Sequence, residues 1–187
     1  MNVIDISKVV NEECKTICFT GHRPGRLAGY TDRVPYTMFV KKLKEMLIPF
    51  IGQGYTRFIT GGAQGTDQLA FWAVEGLKKA GCPVQNIVYV PYEGQESRWS
   101  GEGMFSREEY RIMLEKADGV VYLHKKGQSF KVEDALMERN HAMCDVSDKI
   151  IGVYDGTDFH NDKGGTAECL RYAENTCLEI ILIGFVS

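Results

Sequence analysis

Phe58-Ile59-Thr60-Gly61-Gly62-Ala63-Gln64-Gly65-Thr66-Asp67 reads as a buried strand that runs through a glycine-rich turn into a helix. Three glycines fall within five positions, where they add no packing and cost backbone entropy. What they permit is close approach of backbone N–H groups to a ligand, and the start of the following helix favours an anion there. The turn is shorter than a Walker A loop and has no lysine. It also lacks the Gly-x-Gly-x-x-Gly spacing of a dinucleotide fingerprint. Two readings stand: a phosphate cradle, or three glycines that only make a tight strand-to-helix turn.

The same alternation recurs on both sides of this stretch. Upstream, Thr16–Thr20 is a short apolar run ending in Gly21-His22-Arg23-Pro24-Gly25, a strand and then a loop carrying an imidazole and a guanidinium. Tyr36, Phe39, Val40, Leu43, Met46, Leu47 and Phe50 then recur with helical period. Lys41, Lys42, Lys44 and Glu45 fall on the other side, as a solvated face or a basic nucleic-acid patch. Downstream, a helix from about Thr66 to Ala80 precedes a strand at Ile87–Val90. A polar loop leaves that strand at Pro91-Tyr92-Glu93 and continues past Trp99. Such long loops are usually functional. A third helix lies around Tyr110–Ala117, a strand at Gly119–Leu123, and His124-Lys125-Lys126 follows.

The fourth helix spans roughly Val132 to Cys144, with Val132, Leu136 and Met143 inward. Arg139-Asn140 interrupts that stripe, as a functional pair or as a surface salt bridge. A strand at Lys149–Tyr154 ends in the turn Asp155-Gly156-Thr157. A second glycine-rich turn, Lys163-Gly164-Gly165-Thr166-Ala167-Glu168, opens the fifth helix, and Leu178–Ile183 is the last strand.

Six near-continuous apolar strands alternating with five helices imply strands covered on both faces. The expected fold is α/β: a Rossmann-like, doubly wound, mainly parallel sheet in one domain over 1–187, with its core at about 16–184. Ligands of such sheets sit beyond the strands' carboxyl ends, near the switch in strand order. Both glycine turns and the cationic loops lie on that edge, which implies a crevice for a phosphate-containing ligand.

Composition sets limits. The chain has 187 residues, a net charge of −3, 44% hydrophobic and 25% charged residues, so any nucleic-acid or anionic-membrane contact needs a local patch. No apolar run reaches membrane-span length and the N-terminus lacks a signal-peptide core, so a cytoplasmic protein is expected. The six cysteines form no Cys-x-x-Cys pair and read as small core residues, and the four histidines are too dispersed to suggest a metal site.

Thr20-Gly21-His22-Arg23-Pro24, the run Gly61 to Ala70, Pro91-Tyr92-Glu93-Gly94-Gln95, Arg139-Asn140 and Gly164-Gly165-Thr166-Ala167-Glu168 occur in that order. Together they resemble the YpsA-type branch of the SLOG superfamily, which also holds the LOG phosphoribohydrolases and the DNA-processing protein DprA. The resemblance covers about residues 16–184. It implies a Rossmann-like sandwich that binds nucleotides or nucleotide-derived ligands, and a homodimer. By the same resemblance Thr20, Gly21, His22, Arg23 and the loop Gly61, Gly62, Ala63, Gln64, Gly65, Thr66 and Asp67 contact phosphate or ribose. Asp67 accepts from a sugar hydroxyl, or else stabilises its helix N-terminus by charge. Arg139 and Asn140 stand beside them, and Gly164, Gly165 and Thr166 form a second cradle. Pro91, Tyr92 and Glu93 border the ligand. Tyr92 or Trp99 stacks on a base, or simply packs.

LOG enzymes carry Pro-Gly-Gly-x-Gly-Thr-x-x-Glu. Here Lys163 replaces the proline and Glu168 follows Thr166 by two residues instead of three, an offset of about 100° on a helix. The leading expectation is therefore a nucleotide sensor or binding protein that requires no cofactor, with a free nucleotide or ADP-ribose-like compound as ligand. The enzyme alternative is an N-glycoside hydrolase or phosphoribohydrolase in which Glu168, with Asp67, is catalytic. A single-stranded DNA-binding module using the Lys41, Lys42, Lys44 face and Lys125-Lys126 is a third reading. The acidic balance and the absence of a second domain argue against nucleic acid as partner.

Overall fold

The computed structural model describes residues 2–4, 14–156 and 158–185; most of the N-terminal lead-in and Thr157 of the predicted turn lie outside the described residues. Six strands form one sheet: β1 (Lys15–Gly21), β2 (Tyr55–Thr60), β3 (Gln85–Tyr92), β4 (Gly119–His124), β5 (Lys149–Val153) and β6 (Glu179–Ile183). Their order is β4-β3-β2-β1-β5-β6, and every pairing is parallel. Between them run α1 (Val34–Gly52), α2 (Thr66–Lys79), α3 (Arg107–Lys116), α4 (Val132–Asp145) and α5 (Gly165–Asn175).

Period-two side chains explain why both faces are dry. Ile17 and Phe19 of β1, Phe58 of β2 and Ile151 of β5 pack with Phe39, Leu43 and Leu47 of α1 and Ala70 and Val74 of α2. Val88, Val90 and Val120 meet Tyr110 and Met113 of α3 on the same side. Their neighbours Cys18, Ile59 and Ile150 point the other way, to Met143 of α4 and Leu170 of α5. The first four strands are laid outward in sequence from β1, whereas β5 returns to the opposite flank of β1. The order therefore reverses between β1 and β5, where right-handed crossovers leave a crevice at the carboxyl ends.

Some local readings change. Pro91 and Tyr92 belong to β3, which outlasts the predicted strand because Tyr92 still pairs with His124. Val132 is exposed at the first residue of α4, where the helix has not yet reached the core. Cys18, Cys144 and Cys169 are core residues, but Cys14 and Cys82 are half-buried and Cys177 is exposed. The apolar face of α1 is as predicted, yet Val34, Met38 and Ile48 remain on its outer side. Ser106 caps α3 by accepting from the Glu109 N–H at 3.1 Å, and the Glu109 carboxylate reaches back to the Phe105 N–H at 2.8 Å. No described helix is long and apolar enough to cross a membrane.

Candidate functional site

The crevice starts where β1 ends. Thr66, at the first turn of α2, donates its N–H and its hydroxyl to the His22 carbonyl at 3.3 and 3.1 Å. Gly65 (φ 91°) lies so close that a Cβ there would sit 2.7 Å from that same carbonyl. Gly21 is tight as well, since a Cβ would meet the Thr66 hydroxyl at 2.5 Å. The first glycine turn thus fastens the β1 loop to α2.

Its remaining groups hold an arginine. The Asp67 Oδ2 accepts from the Ala63 N–H and from Arg139 Nη1, both at 3.1 Å. Gly61 makes room for this, because a Cβ there would lie 1.2 Å from Arg139 Nη1. Arg139 is 5% exposed and its Nε has no hydrogen-bond partner. Burying a guanidinium donor unpaired is costly, so the geometry favours an acceptor entering from the crevice. Gln64 turns away and donates to the Phe105 carbonyl at 2.8 Å.

The second glycine turn is more open. Gly164 (φ 123°) begins α5 without a side-chain cap. The Thr166 hydroxyl donates to the Gly21 carbonyl at 2.9 Å, tying α5 to β1. Asn140 donates to the Gly165 carbonyl at 3.4 Å. The Gly165, Thr166 and Ala167 N–H groups bond to no other described residue. Such first-turn amides, with the helix dipole behind them, suit an anion.

Two cavities flank this helix start. One of about 200 Å³ is lined by Thr20, Gly21, Arg23, Asp67, Arg139 and Gly165 among others. The second, about 280 Å³, shares Arg23, Gly165 and Thr166 and adds His22, Arg26 and Lys163. Arg23 is exposed on the rim, and its guanidinium makes no hydrogen bond or ion pair to another described residue. Its charge lies in the field of Asp67 and Arg139. Arg26 is engaged with Asp155 and with Asp162 (3.4 Å), and the Tyr154 hydroxyl donates to Asp162 at 2.5 Å. His22 is buried against the Tyr154 ring, 4.9 Å between centroids. Burial first, and Arg26 next, hold its pKa below the usual histidine value, against the pull of Asp155. The imidazole is therefore neutral at pH 7.

The structure thus brings together Thr20, Gly21, His22, Arg23, Gly61, Ala63, Asp67, Arg139, Asn140, Gly164, Gly165 and Thr166. Several other expected site residues pack elsewhere. Trp99 packs edge-on against Tyr110, 5.1 Å between centroids, within the α3 cluster. Tyr92 packs on Phe130 at 5.2 Å, Glu93 accepts from the Lys126 N–H at 2.8 Å, and Pro91 is buried in β3. Glu168 is half-buried and lines neither cavity. Arg139 makes a buried ion pair with Asp67, not a surface one. The Arg26 pairings with Asp155 and Asp162 escaped the sequence reading; the only signal was a carboxylate directly after β5.

The family model YpsA, described as the YspA SLOG family, matches residues 17–187. The chain belongs to this family. Among YpsA-related proteins, the SPbeta prophage-derived protein YoqJ of Bacillus subtilis is 36% identical over 151 residues, covering 73% of this chain and 83% of YoqJ. A UPF0398 protein of Shouchella clausii is 28% identical over 142 residues, covering 75% of this chain and 73% of its own. Among solved structures, DNA processing protein A from Helicobacter pylori, described for its single-stranded DNA binding mode, matches with a TM-score of 0.58. That match is 16% identical and covers 96% of this chain and 69% of the other. It shows the shared YpsA and DprA fold. It also corrects the expectation about partners: a protein of this fold binds single-stranded DNA, so net charge and domain count do not set nucleic acid aside.

Proposed function

We propose that the crevice between the carboxyl ends of β1 and β5 is a binding site for the phosphate of a nucleotide. The observation that carries this reading is the convergence of three unsatisfied donor sets. The α5 first-turn amides have no partner among the described residues, the Arg23 guanidinium has none, and the buried Arg139 has an unpaired Nε. Phosphate oxygens accept from both kinds of donor, backbone amide and guanidinium, and arginine suits them by its planar fork. Asp67 orients Arg139 through one oxygen and leaves the other for a sugar hydroxyl. Binding is favoured over catalysis, because Glu168 lines neither cavity and His22, on the wall of the second, is held neutral.

The nucleotide phosphate has two sources, a free nucleotide or a unit of a single strand. A thermal-shift screen separates them, since a ligand of the folded state raises Tm by mass action. Nucleoside monophosphates, NAD and ADP-ribose form one arm and short oligodeoxythymidines the other. Stabilisation in either arm that is lost in Arg23→Ala supports the reading and names the source. No stabilisation in both arms, or an unchanged response in Arg23→Ala, overturns it.

A further inference from the structure

We infer that a second ligand site, separate from the nucleotide crevice, lies in the pocket enclosed by α1, α2 and α3, and that it takes a small neutral ring compound carrying one N–H or O–H donor. The pocket measures about 410 Å³, the size of a small-molecule site. Its walls are Tyr36, Val40, Trp72, Met104, Phe105 and Ile112. These walls, half of them aromatic, are apolar and disfavour a charged guest. At the mouth, Arg33 and Glu109 neutralise each other at 2.9 Å, so the entrance selects no net charge.

One polar group marks the floor. Gln68 is 1% exposed and lines the pocket, and its Oε1 has no hydrogen-bond partner. Its orientation is fixed, because Nε2 donates to the Gly62 carbonyl at 3.5 Å and a flipped amide would set two oxygens against each other. A buried carboxamide oxygen with nothing to accept from is an acceptor held ready for a donor. The Tyr36 hydroxyl cannot supply it, since that group donates to the Gly29 carbonyl.

The walls are held in place. Phe105 has φ 55°, a left-handed conformation rare for an aromatic residue. Both its backbone groups are tied down, the N–H to Glu109 (2.8 Å) and the carbonyl to Gln64 (2.8 Å). Its ring stands edge-on to Tyr36, 5.2 Å between centroids. The fold therefore stores local strain where it shapes this cavity.

The test is a ¹⁵N NMR titration of the whole chain with indole and with 1-methylindole, which has the same ring without the donor. Expected are shifts at the Gln68 side-chain amide, the Trp72 indole and Phe105, with 1-methylindole about tenfold weaker, the loss of one hydrogen bond. In Gln68→Leu the two probes should bind alike, and in Val40→Trp, which fills the pocket, indole should not bind. Absence of indole shifts at millimolar concentration overturns the inference. So does equal affinity of the two probes for the unaltered protein. None of these readouts depends on the nucleotide crevice.

Discussion

Gly61 is the position at which the site's architecture can be tested with one methyl group. A Cβ there would lie 1.2 Å from Arg139 Nη1 and 2.2 Å from its central carbon, so Gly61→Ala must expel the guanidinium. The backbone at Gly61 is not left-handed, so the substitution adds no φ strain and acts through this clash alone. Expulsion leaves Asp67, 6% exposed, without its cation. Breaking a buried ion pair by losing one partner costs about 3–5 kcal/mol. Stiffening the unfolded chain at a former glycine returns roughly 0.4–1 kcal/mol. The net expectation is a loss of about 3 kcal/mol, or roughly 6–12 °C in Tm for a chain of this length. Urea unfolding followed by tryptophan fluorescence measures it, first in the native background and then in Asp67→Asn/Arg139→Met. With no guanidinium to displace and no carboxylate to strand, Gly61→Ala should cost less than about 1 kcal/mol in the second background. An equal cost in both backgrounds, or under about 0.5 kcal/mol in the first, would refute the reasoning.

Other outcomes follow from the same geometry. Thr166→Val removes the hydroxyl bond to the Gly21 carbonyl and should lower stability by about 1 kcal/mol, read from the urea midpoint. Trp99→Leu should lower Tm through lost packing on Tyr110 while nucleotide binding is unchanged; lost binding at unchanged Tm would place Trp99 in the site instead. Because the folded pKa of His22 lies below the unfolded 6.5, the unfolded chain takes up a proton first as pH falls. Its contribution is thus intact above about pH 6.5 and declines below it, by at most about 1.4 kcal/mol per pH unit. His22→Asn should flatten that part of the stability–pH curve between pH 7 and 5, and an unaltered slope would exclude His22 as its source.

Periodicity carried most of the fold, because each strand is apolar on both faces and each helix on one. Ile17 and Cys18 illustrate this: adjacent in sequence, they are buried in clusters on opposite sides of the sheet. The edge on which the candidate loops gather was equally legible, since an all-parallel sheet sends every post-strand loop the same way. Lateral position along that edge was not. β3 lies two strands from β1, about 10 Å away, and Trp99, beyond its end, packs in the α3 cluster instead of reaching the crevice. Nor could spacing reveal that the two glycine turns divide their work. That depends on Thr66 meeting the His22 carbonyl and on Arg139 reaching Gly61 across 78 positions of chain, contacts that exist only after folding. Arg139 itself was visible as a charge in an apolar stripe, but its partner Asp67 was not.

Strand order has a consequence for how this protein comes into being on the ribosome. β1 is central in the sheet, yet its flank toward β5 stays unpaired until residues 149–153 have emerged. The half made of β1 to β4 can form from neighbouring segments, whereas β1–β5 pairing closes a loop of more than a hundred residues and is entropically late. The crevice proposed to bind a nucleotide lies along that seam, and its open amides belong to α5. The chain must therefore have emerged through α5 before the proposed site is complete, and a nascent chain stopped before β5 should present an unprotected β1 edge at the place where the crevice later forms.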